Sequence, residues 1–148
     1  MWSWRAMGTL SERLRRAPSS VVDVYQEADF RYFLGIERQR AERRGRSLLL
    51  VLVNVRAIGA PRSRIEAVAA IVFAVLGACV RESDFIGWYR QTEAAGAVLV
   101  QGDVMPSPEQ CREIGRRVSA LLEGALPKGA PIDVKVLQLE ARRKAQHA

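Results

Sequence analysis

Six consecutive apolar residues, Leu48-Leu49-Leu50-Val51-Leu52-Val53, constrain this chain more than any other feature. The run does not alternate. An amphipathic helix would place polar residues on one face, and a strand with one wet face would alternate. A short unbroken leucine-valine run, preceded by Gly45-Arg46 and ended by Asn54-Val55-Arg56, reads as a strand over 47–55 covered on both faces. The rest of the chain must therefore provide helices for two sides of a sheet.

Those helices are legible on either side of the run. Phe30, Phe33, Leu34, Ile36 and Ala41 recur at helical spacing from Asp29 to Gly45, among arginines and glutamates. Gly59-Ala60-Pro61 breaks the chain after the strand. Ser63 is then placed to cap a helix from Arg64 to about Glu82 that is apolar on most sides, hence substantially buried. Asp84–Arg90 and Ala95–Gln101, joined by a turn over Gln91–Ala94, form a hairpin. Ser107-Pro108-Glu109 opens another helix, to about Glu123, and Ile132–Leu139 reads as an edge or half-buried strand. The order helix, strand, helix, strand, strand, helix, strand predicts an α/β (α+β) fold with a ferredoxin-like split βαβ sheet. A parallel dinucleotide-binding sheet would need a glycine-rich turn after the first strand, which is absent.

The 148 residues suit one domain. Residues 1–20 read as a lead-in segment, 21–140 as the domain and 141–148 as a charged tail. The lead-in carries Trp2 and Trp4 but no signal-peptide core. The apolar stretch Ile65–Val80 is too short to span a membrane comfortably, so the expected location is cytoplasmic. His147 is the only histidine, and Cys79 and Cys111 sit in apolar helical patterns. A disulfide framework, a zinc site or a histidine-based triad is thereby disfavoured, and no cofactor is expected. Net charge is +7, and Lys128, Lys135 and Lys144 are the only lysines among 23 basic residues. The arginines between Arg31 and Arg46 suit a polyanion or a solvated helix face. The strand aromatics lack the RNA-recognition pattern, so nucleic acid is not the expected partner.

The hairpin is the most specific stretch. Arg81-Glu82-Ser83-Asp84 precedes Phe85-Ile86-Gly87-Trp88-Tyr89, and Arg90-Gln91-Thr92-Glu93-Ala94 follows. This resembles the centre of a GGDEF domain, in which an Arg-x-x-Asp motif lies five residues before the Gly-Gly-Asp-Glu-Phe turn. The basic stretch Ala41–Arg46 and the strand ending in Asn54-Val55-Arg56 agree with that arrangement, over roughly residues 25–140. The resemblance implies a nucleotide-cyclase-type fold. In the family, two GTP molecules are joined into cyclic di-GMP with magnesium held by carboxylates on the first strand and in the turn.

This chain departs from the family at all but one of those positions. Asn54 stands where the first-strand carboxylate is expected, and Arg56 where another acid is common. Arg90 and Gln91 replace the two turn glycines, Thr92 replaces the first turn acid, and only Glu93 matches. Magnesium prefers several hard oxygen ligands, which a single glutamate does not provide. The expectation is a domain without cyclase activity and without a metal. Arg81 and Asp84 remain as the family's product-binding pair, which implies cyclic di-GMP as a ligand. Read from the residues alone, they better suit a structural turn, with Asp84 as its cap and Arg81 paired with Glu82 or a helix C-terminus. Other readings are a homodimer or protein-interaction module without a nucleotide, and an enzyme in which Glu93, Asp103 and Asp133 converge. Trp88 and Tyr89 should point to opposite faces, one into the core.

Overall fold

A computed structural model describes residues 23–102 and 105–139. The elements are β1 (Val24–Tyr25), α1 (Glu27–Arg43), β2 (Leu48–Asn54), α2 (Ile65–Ala78), β3 (Phe85–Arg90), β4 (Ala94–Val100), α3 (Pro108–Ala125) and β5 (Val134–Leu139). Single turns of 3-10 helix, Arg56–Ile58 and Arg62–Arg64, lead from β2 into α2. The strands form one sheet in the order β1-β3-β4-β2-β5. Apart from β1, which runs parallel to β3, all neighbours are antiparallel. Strands β2 to β5 with α2 and α3 make the expected split βαβ unit.

The apolar run occupies the place its composition demands. Strand β2 lies between β4 and β5, and Leu48 to Val51 are at most 2% exposed. Its side chains divide by parity between two cores. Leu49, Val51 and Val53 join Ile86, Trp88, Ala95, Ala97 and Leu99 beneath α2 and α3, with Val72, Leu76, Ile114, Val118 and Leu122. Leu48 and Leu50 join Val98 beneath α1, with Phe30, Leu34 and Ala41. Strand β5 is one of the two edge strands and is partly buried, as expected, its burial alternating from Val134 to Leu137.

Three expectations need correction. The order begins with a strand, β1, because two residues carry no periodicity; Val24 and Tyr25 are held by pairing with Ile86 and Gly87. Ser63 does not cap α2. It lies in the second 3-10 turn, and the residue before the helix is Arg64, with no side-chain cap. The helix also stops at Ala78, four residues short of Glu82, and its outer positions Ala67, Ala70 and Ala74 are exposed. The lead-in 1–20 and the tail 141–148 lie outside the described residues. Among the described residues, no helix is long and apolar enough to cross a membrane.

Two local features yield direct predictions. Ser107 and Gln110 form a reciprocal capping box at the start of α3: the Ser107 hydroxyl accepts from the Gln110 amide at 3.2 Å, and the Ser107 amide donates to the Gln110 side chain at 2.8 Å. Ser107→Ala should cost about 1 kcal/mol in urea unfolding. Gly35 sits in mid-α1, exposed, with open space where a Cβ would be. Gly35→Ala should stabilise the fold by about 0.8 kcal/mol, because alanine loses less backbone entropy in a helix.

Candidate functional site

The β3–β4 turn and the end of β2 come together at one end of the sheet. Asn54, Arg56 and Arg90 to Glu93, singled out from the sequence, are found there, and most of them bond to one another or to a neighbour. Asn54 closes β2; its side-chain amide donates to Asp133 at 3.3 Å, and its carbonyl oxygen accepts from the Ala57 amide at 3.0 Å. Arg56 makes a 2.9 Å ion pair with Glu93, in which both side chains are well exposed. The Glu93 carbonyl also accepts from the amides of Val55 and Arg56. The end of β2 is thereby fastened to the turn.

Gln91 ties the same turn to α1. The Gln91 amide donates to the Glu27 carboxylate at 2.5 Å, and the Glu27 amide donates to the Gln91 side chain at 3.2 Å. Gln91 thus satisfies one of the open amides at the first turn of α1. Arg31, one turn along, donates to the Tyr89 carbonyl at 2.8 Å and lays its guanidinium over the Tyr89 ring at 4.6 Å. Thr92 adopts a left-handed backbone, φ 62°, and its hydroxyl donates to the Gln91 carbonyl at 2.6 Å. That conformation is costly for a β-branched residue. Arg90 is exposed beside a register irregularity between Trp88 and Arg90.

Strand β3 distributes its aromatics as alternation requires. Trp88 is buried with its ring 5.0 Å from Phe73 of α2, edge to face, while Tyr89 is half-buried on the α1 side. Gly87 and Gly96 are paired across β3 and β4. Phe30 fills the hollow they leave: a Cβ on Gly96 would fall 2.8 Å from its ring. A Cβ on Gly87 would fall 2.8 Å from that ring and 2.6 Å from the Tyr25 carbonyl oxygen.

Arg81 and Asp84 lie at the other end of β3. The Asp84 side chain is fully buried. One carboxylate oxygen accepts from the Arg81 amide and the other from the Val100 amide, each at 2.9 Å. The Arg81 guanidinium, part-exposed, donates to the Val100 carbonyl at 2.7 Å and approaches Asp84 at 3.5 Å. Burial pushes the Asp84 carboxyl above the ordinary carboxylate range, opposed by the two amides and the guanidinium. The pair bolts the α2–β3 turn onto the end of β4.

These residues do not fit a magnesium ion. Asn54 offers a neutral amide that is already bonded to Asp133, and Glu93 is paired with the Arg56 guanidinium. Among the described residues, no three of His, Cys, Asp and Glu come together in an arrangement that could hold a metal ion. Glu93 and Asp133 do come to the same end of the sheet, each bonded to a residue at the end of β2, whereas Asp103 lies outside the described residues. The partners Glu27, Arg31 and Val100 were not singled out from sequence. Glu27 and Gln91 are 64 positions apart, and no local pattern signals a bond of that span.

No protein-family model and no curated protein matches the chain. Solved structures do. A DGC (diguanylate cyclase) protein from Thermotoga maritima superposes with a TM-score of 0.62 at 19% identity, over 79% of this chain and 81% of that one. The diguanylate cyclase SiaD of Pseudomonas aeruginosa, solved in complex with its activator SiaC, superposes with a TM-score of 0.56 at 15% identity. That match covers 93% of this chain but 56% of the other, so the chain spans little more than half of SiaD. The fold is that of diguanylate cyclase (GGDEF) domains, as the hairpin motif led us to expect.

Proposed function

We propose that this is a GGDEF-like regulatory domain that does not make cyclic di-GMP. One observation carries the reading: the turn residues that would face a nucleotide are engaged in bonds within the protein. Gln91 is bonded to Glu27, Glu93 to Arg56 and Asn54 to Asp133. Turn glycines would leave room for phosphates; here Arg90 and Gln91 project side chains instead. The family's phosphoryl chemistry depends on metal ions that orient and neutralise phosphates, and this donor set suits none.

Cyclic di-GMP is the ligand to test, and Arg81 is its contact. A guanidinium on a part-exposed side chain can fork onto a phosphate or a guanine edge. Asp84, enclosed and bonded to two amides, acts by holding the turn that presents Arg81. The alternative is a protein-interaction module with no nucleotide. Calorimetric titration of cyclic di-GMP into wild type and Arg81→Ala separates the two. Heat at micromolar ligand, lost in a folded Arg81→Ala, supports the receptor. Absence of heat assigns Arg81 to the fold alone and leaves the interaction module. Magnesium-dependent conversion of GTP to cyclic di-GMP would overturn the non-catalytic reading.

A further inference from the structure

Five aromatic rings run from the core to the surface at the β1 edge of the sheet. Phe30 is fully buried and meets Phe85 edge to face at 5.5 Å. Phe85 lies 6.1 Å from Tyr25 and 6.3 Å from Phe33, and Tyr25 and Phe33 lie 5.0 Å apart. The last ring, Tyr32, meets Phe33 edge to face at 5.5 Å and is 65% exposed, the most of any large apolar side chain among the described residues. Singly scattered apolar side chains on a surface are ordinary. Tyr32 instead ends a continuous cluster in which Tyr25, Phe33 and Phe85 are themselves only half-buried. The surroundings are acidic once every pair is cancelled. Glu27 is paired with Arg31, Asp84 with Arg81 and Glu93 with Arg56. Of the other charges on β1, the first two turns of α1, and β3 with its flanking turns, Asp23, Asp29 and Glu82 are exposed against Arg90 alone.

We propose that this cluster is the docking surface for the chain's own lead-in, residues 1–22, with Trp2 and Trp4 set against Tyr32 and Phe33. Connectivity selects this occupant. The lead-in joins the domain at Asp23, two residues from Tyr25 of the cluster, and Pro18-Ser19-Ser20 supplies the residues of a chain reversal. Its chemistry matches as well. Trp2, Trp4, Met7, Leu10 and Leu14 recur two to four positions apart, and Arg5, Arg13, Arg15 and Arg16 outnumber the single acid, Glu12, giving a net positive segment for an acidic rim. Exposed Leu137 is the competing apolar spot, on β5 at the opposite edge, four strand spacings or roughly 19 Å away. Lys135 stands beside it on the same face of the strand and would repel the arginines. Burying the open sides of Tyr25, Tyr32, Phe33 and Phe85 under two indoles removes apolar surface from water, which is the driving force for the contact.

The test is acrylamide quenching of tryptophan fluorescence in the full chain, at a low and a high protein concentration. Trp2, Trp4 and Trp88 are the only tryptophans, and Trp88 is buried in the core. In wild type all three should resist quenching, equally at both concentrations. Tyr32→Glu should release Trp2 and Trp4, read as a red shift of emission and as two of the three indoles becoming quenchable. Asp29→Arg should shift both readouts in the same direction, and Leu137→Glu should leave them unchanged. All three positions are exposed, and far-ultraviolet circular dichroism verifies folding. Freely quenched Trp2 and Trp4 in wild type, or protection indifferent to Tyr32→Glu, would overturn the proposal. So would protection that grows with protein concentration, which would assign the surface to a second copy.

Discussion

Gly87→Val should destabilise the protein by about 3 kcal/mol, lowering Tm by roughly 10 °C. The reason is the hollow shared by Gly87 and Gly96. Phe30 is fully buried in it, and its ring sits where both missing side chains would be. At Gly96 the obstacle is only this ring, so Gly96→Ala should cost about 1–3 kcal/mol as Phe30 shifts. At Gly87 the nearest atom is the Tyr25 carbonyl oxygen, which belongs to the backbone of β1 and cannot rotate away. Valine there must push β1 off the edge of β3. Aromatic contacts go with it, since Tyr25 lies 5.0 Å from Phe33 and 6.1 Å from Phe85. Gly102→Ala is the control, because nothing lies within 4 Å of its Cβ position. Urea denaturation of the set measures all three, and equal losses at Gly87 and Gly102 would contradict the packing argument.

Asp84→Ala should cost about 3 kcal/mol, while Arg81→Ala costs about 1 kcal/mol. Aspartate is the sole side-chain acceptor for the Arg81 and Val100 amides among the described contacts, and alanine leaves both without it inside the protein. Asparagine does not repair the loss, because its NH2 group would face one of those two donors. Arg81 is different, being exposed enough for solvent to screen its loss. Chemical denaturation of the two variants should show this asymmetry; equal effects would mean that the guanidinium, not the carboxylate, secures the turn. A binding assay that relies on Asp84→Ala confuses lost ligand contact with lost fold, so Arg81 is the informative position.

The frame of the fold was legible because its strongest signals are local. Leu48 to Val53 announces a central strand through composition alone, and Ser107-Pro108 marks the start of α3 through capping chemistry. The hairpin was legible as well: β3 ends at Arg90 as expected, and β4 begins at Ala94, one residue earlier than expected. The bonding of the site residues was not legible, because each partner is remote in sequence: Asp133 for Asn54, Glu27 for Gln91, Val100 for Asp84. Strand β1 was missed for a related reason. Two residues have no period, and their place depends on the absence of a side chain at Gly87. On α2 the apolar composition was read as burial, but one helix in a layer touches the sheet with one side only.

The bonds between Glu27 and Gln91, with the pairing of β1 on β3, give the domain a mechanical bias. Tension applied to the chain just before Val24 falls on the hairpin first. It reaches the central strand only after two residues of parallel ladder and one reciprocal side-chain clasp have parted. Strand β2, paired with β4 over Leu48–Asn54 and with β5 over Leu48–Val53, lies behind those first attachments.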